Sequence, residues 1–299
     1  MQKIIGFVSI ILFLSLAGVY VLIPNQLTIQ GSQMVYQPTS SVIRAMTQTS
    51  KWSEWMPKEI VLQPTNSLVA TIQAILNEDG ILVPVVFSIE NAEGKNSFIQ
   101  FETSMDQIGW SPIKRIQYYL FARKIQGHLN QVLAAATAHY NYSKGVYGFD
   151  IVETKVKDSS YLAIDQTSTD TPSLVQIYQM VDQLTAYINT QKGKAIGDPM
   201  VNITRVDAKA IYLQVAIPLE RDIPVNGVFS IKKMVLGNLL SVKVQGDQAK
   251  VNEAFEATKQ YITDKQKYSP AIPFIIYNTN RLLEKDSSKW ISTISYPIY

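Results

Sequence analysis

The chain opens with a long, uninterrupted apolar run. From Ile4 to Ile23, twenty consecutive residues carry no charge. A helix of that length spans about 30 Å, the thickness of the hydrocarbon core of a bilayer. The run also continues beyond the small residues at which a signal peptide would be cleaved. The pattern predicts a transmembrane anchor over residues 1–24, whose N-terminus stays cytoplasmic because Lys3 precedes the helix.

After this run, the apolar positions first alternate as in strands and then follow helical spacing. Three apolar runs are separated by Asn-Glu-Asp-Gly80 and Asn-Ala-Glu-Gly94, which are turn sequences at the spacing of β-hairpins. A longer segment, residues 113–139, carries its apolar residues on one helical face. We therefore predict an antiparallel meander covered by a long helix. This first soluble domain is assigned to residues 25–145.

An internal repeat organises the second half of the chain. Tyr187 precedes Pro199 by twelve positions, and Tyr261 precedes Pro273 by the same twelve. Each pair lies in an equivalent series of one strand, one helix and two further strands. Two such β-α-β-β units bury their apolar faces by pairing into one sheet with both helices on one side. The sequence thus predicts an α+β protein in which this duplicated domain covers residues 148–299.

Composition narrows the chemistry that the chain can perform. The formal net charge is +3 and the basic residues are scattered, so we expect no nucleic-acid partner. The absence of cysteine excludes disulfides and thiolate chemistry. His128 and His139 lie eleven positions apart, about 16 Å along a helix, which is too far to share a metal. Without a catalytic constellation or a phosphate-binding motif, no catalytic residue, metal or cofactor is predicted.

A tryptophan-rich segment precedes the predicted meander of the first domain. Residues 51–57 have the sequence KWSEWMP. Together with the order of elements, this segment resembles the START-like SRPBCC superfamily, of the polyketide cyclase/dehydrase and lipid-transport type, over residues 25–145. The resemblance implies a helix-grip fold that encloses a ligand cavity. The alternative is that the large side chains of this domain only fill its core. They are Trp52, Trp55, Met56 and Trp110.

The second repeat closes on a distinctive strand. Residues 289–298 have the sequence KWISTISYPI. The duplicated unit, over residues 148–299, resembles the GyrI-like effector-binding domain that also occurs in AraC-type regulators. The resemblance implies a cleft between the repeats that binds small, often cationic ligands through aromatic side chains and a carboxylate. Here Ile275 replaces the glutamate of the family pattern, and Thr293 occupies a position that is frequently acidic. A neutral apolar or aromatic ligand is therefore expected, because no carboxylate compensates the desolvation of a cation.

Candidate ligand-binding residues are aromatic or apolar positions on the predicted strands of both repeats. Strand alternation puts two of them on one face of the strand after Pro273 and two on one face of the closing strand. For each, the alternative is a side chain that packs beneath the helices. The candidates are Tyr161 and Tyr212 from the first repeat and Ile275, Tyr277, Trp290 and Tyr296 from the second.

These inferences predict a bacterial single-pass membrane protein whose two soluble domains lie outside the cytoplasm. The predicted function is non-catalytic binding of a small apolar or aromatic molecule, which fits both resemblances. Two alternatives stay open. One is a cyclase- or hydrolase-type enzyme that uses either cleft, and the other is a structural envelope protein with filled pockets.

Overall fold

The computed structural model describes residues 2–105, 111–156, 160–208, 210–234 and 237–298. Trp110, one of the proposed core residues, lies outside these ranges. The chain divides into two compact units, Met1–Val146 and Tyr147–Tyr299. Each unit has its own antiparallel sheet, so the protein is a mixed α/β chain with two sheets.

The N-terminal apolar run is helical. Helix α1 covers Gln2–Leu22. Within the described part of the chain, however, no helix combines the length and the apolar character needed to cross a bilayer. The predicted transmembrane anchor is therefore not confirmed, and the localisation stays a prediction.

The first unit is a five-stranded sheet covered by one long helix. The strands lie side by side in the order β1-β5-β4-β3-β2, and every neighbouring pair is antiparallel. Helix α3 packs against β1 and β5. At the start of α3, the Lys114 amide donates a hydrogen bond to the Ser111 hydroxyl, and a proline occupies the first turn. Both features favour the start of a helix. The elements are β1 (Leu27–Val35), α2 (Thr39–Met46), β2 (Val61–Ser67), β3 (Thr71–Glu78), β4 (Ile81–Asn91), β5 (Ser97–Met105) and α3 (Pro112–Tyr140).

The tryptophan-rich segment of this unit contributes one tryptophan to the core. Trp52 is buried, and its indole N–H donates to the carbonyl of Met46 at 2.8 Å. The Trp55 indole donates to the buried Tyr140 hydroxyl at 3.0 Å, and burial raises the pKa of that phenol. The alternative in which these side chains fill the core therefore holds for Trp52. The SRPBCC resemblance stays a prediction.

The second unit has an eight-stranded antiparallel sheet whose strand order reflects the internal repeat. The order is β10-β7-β9-β8-β12-β13-β11-β6. Its six central strands come from two copies of β-α-β-β, arranged symmetrically about the β8–β12 pair. The elements are β6 (Ile151–Lys155), β7 (Ser160–Ser168), α5 (Leu174–Thr190), β8 (Met200–Arg205), β9 (Ile211–Leu219), β10 (Ser230–Lys233), β11 (Asn238–Gln245), α6 (Gln248–Asp264), β12 (Phe274–Tyr277) and β13 (Ile291–Ile298), and α4 (Ser143–Tyr147) precedes them.

Equivalent residues of the two copies meet at the centre of this sheet. Val201 of β8 lies opposite Ile275 of β12. Val201 follows Tyr187 at the same distance in sequence as Ile275 follows Tyr261. Helix α5 packs on β7 and β9, whereas α6 packs on β11 and β13. The predicted series of strand, helix and two strands is thus present twice, and the two helices pack mainly on the strands that flank β8 and β12.

Candidate functional site

A cleft of about 850 Å³ lies over the central strands of the second unit. Its floor is formed by β8 and β12. Its walls come from the start of α5, the face of α6 that carries Phe255 and the connection between β12 and β13. A volume of this size is in the range of small-molecule sites in proteins. The apolar and aromatic residues that line it include Leu174, Val201, Phe255, Ile275, Tyr277, Trp290 and Tyr296.

The aromatic wall of the cleft belongs to the second copy. The Tyr277 ring is buried and lies 6.3 Å from the ring of Tyr178 on α5. On the other side, the Tyr296 ring packs edge-on against Phe255 of α6, with 5.7 Å between centroids. Tyr277 and Tyr296 stand on the adjacent strands β12 and β13. Because side chains alternate between the two faces of a sheet, both rings lie on the same face.

A buried arginine lies against this wall. Arg281 is only 4% exposed, and its guanidinium carbon is 3.9 Å from the centre of the Tyr277 ring and 5.0 Å from that of Trp290. Its Nη1 donates to Oε1 of Gln248 at 2.9 Å, and its Nη2 donates to the Ser292 hydroxyl at 2.7 Å. Both partners are neutral. The guanidinium Nε is buried without a hydrogen-bond partner.

The connection from β12 to β13 holds this arginine in place. The backbone N–H of Arg281 donates to the Tyr178 hydroxyl at 2.8 Å, which ties the connection to α5. The side-chain oxygen of Asn280 accepts the amides of Leu282 and Leu283, as in a turn stabilised by asparagine. Further along, the Trp290 indole donates to the carbonyl of Glu284 at 2.7 Å. The connection is therefore a folded structure that positions both Arg281 and Trp290.

The phenols around the cleft are held in their neutral form. Burial raises the pKa of Tyr277 and of Tyr178, although the positive charge of Arg281 opposes the shift at both. Burial also raises the pKa of Tyr296 to about 12, with a contribution from the nearby carboxylate of Glu256. At neutral pH these phenols are therefore uncharged, and Tyr277 and Tyr296 add no negative charge to the cleft.

The charged residues at the rim of the cleft neutralise each other. Glu256 is the only carboxylate among the described lining residues, and it is paired with Lys259 one helical turn later at 2.6 Å. Both side chains are exposed, so this pair contributes little energy and is screened by salt. The buried charge of the cleft is consequently that of Arg281.

Four of the six predicted ligand residues line this cleft. They are Ile275, Tyr277, Trp290 and Tyr296. Three of them stand on β12 and β13, whereas Trp290, predicted on the closing strand, lies at the end of the connection just before β13. Their role in binding stays a prediction.

The other two candidates, Tyr161 and Tyr212, lie on the opposite face. In β9 the residues on either side of Tyr212 are buried beneath α5, so Tyr212 points away from the cleft and accepts a hydrogen bond from Gln214. Tyr161 lines a separate cavity of about 220 Å³ with Met234 and Phe274. Thr293 also lies off the cleft, since its neighbours on β13, Ser292 and Ile294, face the helices and its hydroxyl contacts Asn278.

The first unit contains a cavity of about 610 Å³ between the start of β4, the end of β5 and the start of α3. Its lining is apolar and aromatic, with Val83, Met105, Tyr118 and Phe121 among its members. Among the described residues of the whole chain, no group of three side chains is arranged to hold a metal ion.

No family model and no curated protein matches this sequence. Three of the solved structures to which the chain is similar are an EcmrR–DNA complex in EcmrR-RPo, a hydrolase from Listeria innocua, and SAV2435 bound to tetraphenylphosphonium. The EcmrR match has 9% identity and a TM-score of 0.45, and covers 62% of this chain and 70% of the other. The hydrolase match has 13% identity and a TM-score of 0.39, and covers 50% and 91%. The SAV2435 match has 13% identity and a TM-score of 0.33, and covers 50% and 94%.

These similarities are too distant to assign a function. The EcmrR structure contains DNA, whereas the charge pattern of this chain predicts no nucleic-acid partner. A match at this TM-score does not decide between the two, and the absence of a nucleic-acid partner stays a prediction.

Proposed function

We propose that the second unit is a non-catalytic binding module that holds one small molecule with an apolar or aromatic body in the cleft between its two repeats, as an effector-binding domain of the GyrI-like type would. The observation that carries the proposal is the cleft itself. Over a volume of about 850 Å³ it combines the ring faces of Tyr277 and Trp290 with a few polar groups. This composition is typical of ligand pockets, in which apolar surface provides affinity and a few polar groups provide orientation.

The charge of the cleft supports a ligand without positive charge. A cation would normally be bound by aromatic faces and a nearby carboxylate. Here the guanidinium of Arg281 already lies on the Tyr277 ring and close to Trp290. The residue that replaces the expected glutamate, Ile275, adds only apolar surface to the floor. A cationic ligand would therefore be repelled by the guanidinium of Arg281, and Ile275 supplies no carboxylate to compensate its charge.

The rim of the cleft supports binding over catalysis. General acid–base catalysis needs a titratable group with a pKa near the working pH and a position within reach of the substrate. The cleft carboxylate, Glu256, is exposed and ion-paired with Lys259. The cleft phenols have raised pKa values and stay protonated at neutral pH.

The test is calorimetric titration of the full chain with two probes that share one aromatic body, the neutral 2-naphthamide and the cationic 2-naphthylmethylammonium. We expect the neutral probe to bind and the cation to bind at least about 10-fold more weakly, because like charges would share a partly desolvated site.

Trp290→Ala should weaken binding of the neutral probe by about 10-fold, since a stacked aromatic contact contributes about 1–1.5 kcal/mol. Tyr212→Ala is the matched control, because it removes an aromatic side chain from the opposite face of the same sheet. If neither probe binds, or if the two variants weaken binding equally, the proposal is wrong and a structural role is favoured.

A further inference from the structure

The buried arginine gives the cleft a charge preference that the sequence pattern did not predict. We propose that Arg281 is the recognition residue for an anionic group, a carboxylate on an otherwise apolar or aromatic ligand, so that the cleft selects small organic acids. This inference rests on the proposed binding function and adds the chemical class of the ligand to it.

Burial of the charge is the first argument. Arg281 is 4% exposed, and among the described residues no carboxylate forms an ion pair with it. Arginine is almost never fully buried unless it is paired, because removal of an ion from water is strongly unfavourable without a counter-charge. The rings of Tyr277 and Trp290 provide partial compensation through cation–π attraction. A bound anion would supply the missing counter-charge.

Unused donors are the second argument. A guanidinium carries five N–H groups and accepts none. Two of the five are used here, by Gln248 and Ser292, and the Nε hydrogen has no acceptor. Planar carboxylates fit the forked edge of a guanidinium and form two parallel, charge-assisted hydrogen bonds with it. Because the Nε donor is buried without an acceptor, Arg281 can still donate to a charged group such as a carboxylate.

A replaceable neighbour is the third argument. Gln248 is an exposed residue in the first turn of α6, and its amide also donates to Asn252 at 3.0 Å. The amide oxygen of Gln248 is a neutral acceptor. Because the side chain is exposed, it can rotate away, and a carboxylate, which is a stronger acceptor, can take its place. Ser292, in contrast, is buried in β13 and keeps the guanidinium oriented.

The position of Arg281 beside the apolar walls of the cleft is the fourth argument. Arg281 lines the same cleft as Phe255 and Ile275, so one molecule can contact the charge and the apolar walls together. The two requirements define an amphipathic ligand with one negative group and a compact hydrophobic body. A free inorganic anion would use only the first of them.

The experiment extends the matched probes to three, 2-naphthoate, 2-naphthamide and 2-naphthylmethylammonium, and titrates each into the full chain by calorimetry. We expect 2-naphthoate to bind at least 10-fold more tightly than the amide, and the amide more tightly than the amine. Sodium sulfate and sodium acetate are titrated as anions without the aromatic body, and we expect both to bind at least 100-fold more weakly than 2-naphthoate.

Variants separate recognition by Arg281 from a general effect of charge. Arg281→Met should reduce affinity for 2-naphthoate by 10-fold or more and change affinity for 2-naphthamide by less than 3-fold, while Arg281→Lys should retain part of the preference. Arg205→Met is the control, because it removes the same charge from an exposed position at the end of β8. Equal loss in both arginine variants would overturn the inference.

The outcomes also distinguish this inference from the function on which it rests. If the amide binds and 2-naphthoate binds no more tightly, the anion preference is wrong and the aromatic binding site stands. If the amine binds most tightly, Arg281 is not the recognition residue. If none of the three probes binds, both the inference and the proposed function are wrong.

Discussion

The two copies of the repeat differ most in the connection between their last two strands. In the first copy β8 and β9 are joined by residues 206–210, whereas in the second copy residues 278–290 join β12 and β13. In the short connection, the Val206 amide donates to the carbonyl of Ala210 at 2.9 Å. The long one folds over the cleft and brings Arg281 and Trp290 to it. The duplication thus creates a cleft, and the unequal connections give it one chemically distinct wall.

The two helices show a parallel difference. Helix α5 buries large side chains, including Met180, Leu184 and Ile188. Helix α6 buries only Val251, Ala254 and Thr258, and its larger Phe255 faces the cleft. Helix α5 therefore contributes more large side chains to the core than α6 does, whereas large side chains of the second copy line the cleft. Under the proposed function, recognition in the second copy could change without loss of the packing that stabilises the first.

The largest effect expected from this comparison is on stability at a pair of equivalent positions. Leu184 and Thr258 are separated by the same number of residues as Tyr187 and Tyr261, and both are fully buried. Leu184→Ala should reduce the free energy of unfolding of the second unit by about 3 kcal/mol, since it removes a large buried side chain and leaves a cavity. Thr258→Ala should reduce it by about 1 kcal/mol, because it removes one methyl group and a hydroxyl bonded within the helix.

Amide hydrogen exchange in β9 and β13 under native conditions provides the measurement, because it reports on this unit without interference from the first. Equal destabilisation by the two variants would contradict the view that α5 contributes more to the core than α6 does.

A smaller effect is expected at the contact that ties the long connection to α5. Tyr178→Phe removes the acceptor of the Arg281 amide and leaves that buried N–H unsatisfied, which costs about 1–3 kcal/mol. Tyr187→Phe is the control on the same helix, because its exposed hydroxyl bonds to Pro224 at 3.2 Å and water can replace it. We expect the control to cost less than about 0.5 kcal/mol.

Chemical denaturation followed by Trp290 fluorescence, with Trp52, Trp55 and Trp110 replaced by phenylalanine in both variants and in the parent, would measure the two costs. A Tyr178→Phe protein as stable as the control would show that the connection is held by other contacts.

The repeat spacing was enough to predict the order of elements in the second unit. The equal distances from Tyr187 to Pro199 and from Tyr261 to Pro273 reflect equal helix and turn lengths, and these are local properties. Strand alternation likewise brought Ile275 and Tyr277 to one face, because both belong to the same short strand.

Alternation failed for Tyr161 and Tyr212 because it assigns residues to two faces without stating which face carries the helices. The missing signal was present in β9, where the positions that alternate with Tyr212 are all large aliphatic residues and so mark the core face. The choice of Tyr212 overlooked that pattern and relied on the aromatic side chain alone.

Arg281 could not be found by periodicity. It lies in an irregular connection, and its partners come from α5, α6 and β13, at distances in sequence that no local pattern encodes. The one available signal was the unequal length of the two connections, which suggests that the longer one has a role of its own. Hydrophobicity at the N-terminus, in contrast, was enough to predict a helix, and α1 forms there.

The smallest expected effect on stability concerns the charge of Arg281 itself. Replacement of a buried, unpaired charge by an apolar side chain of similar length removes a desolvation penalty and is often neutral or stabilising. The cation–π contacts with Tyr277 and Trp290 and the two hydrogen bonds act in the opposite direction. Arg281→Met should therefore change the free energy of unfolding by no more than about 1 kcal/mol in either direction.

Arg281→Ala separates volume from charge at the same position. It removes the charge and also empties the space between the two rings, so it should cost about 2 kcal/mol more than the methionine variant. Guanidinium denaturation of both variants beside the parent gives the comparison. A loss of 3 kcal/mol or more in Arg281→Met would identify the guanidinium as a structural element of the second copy. A nearly neutral result would mean that the charge is not required for folding, which leaves recognition in the cleft as the physical reason for a buried arginine without a counter-ion.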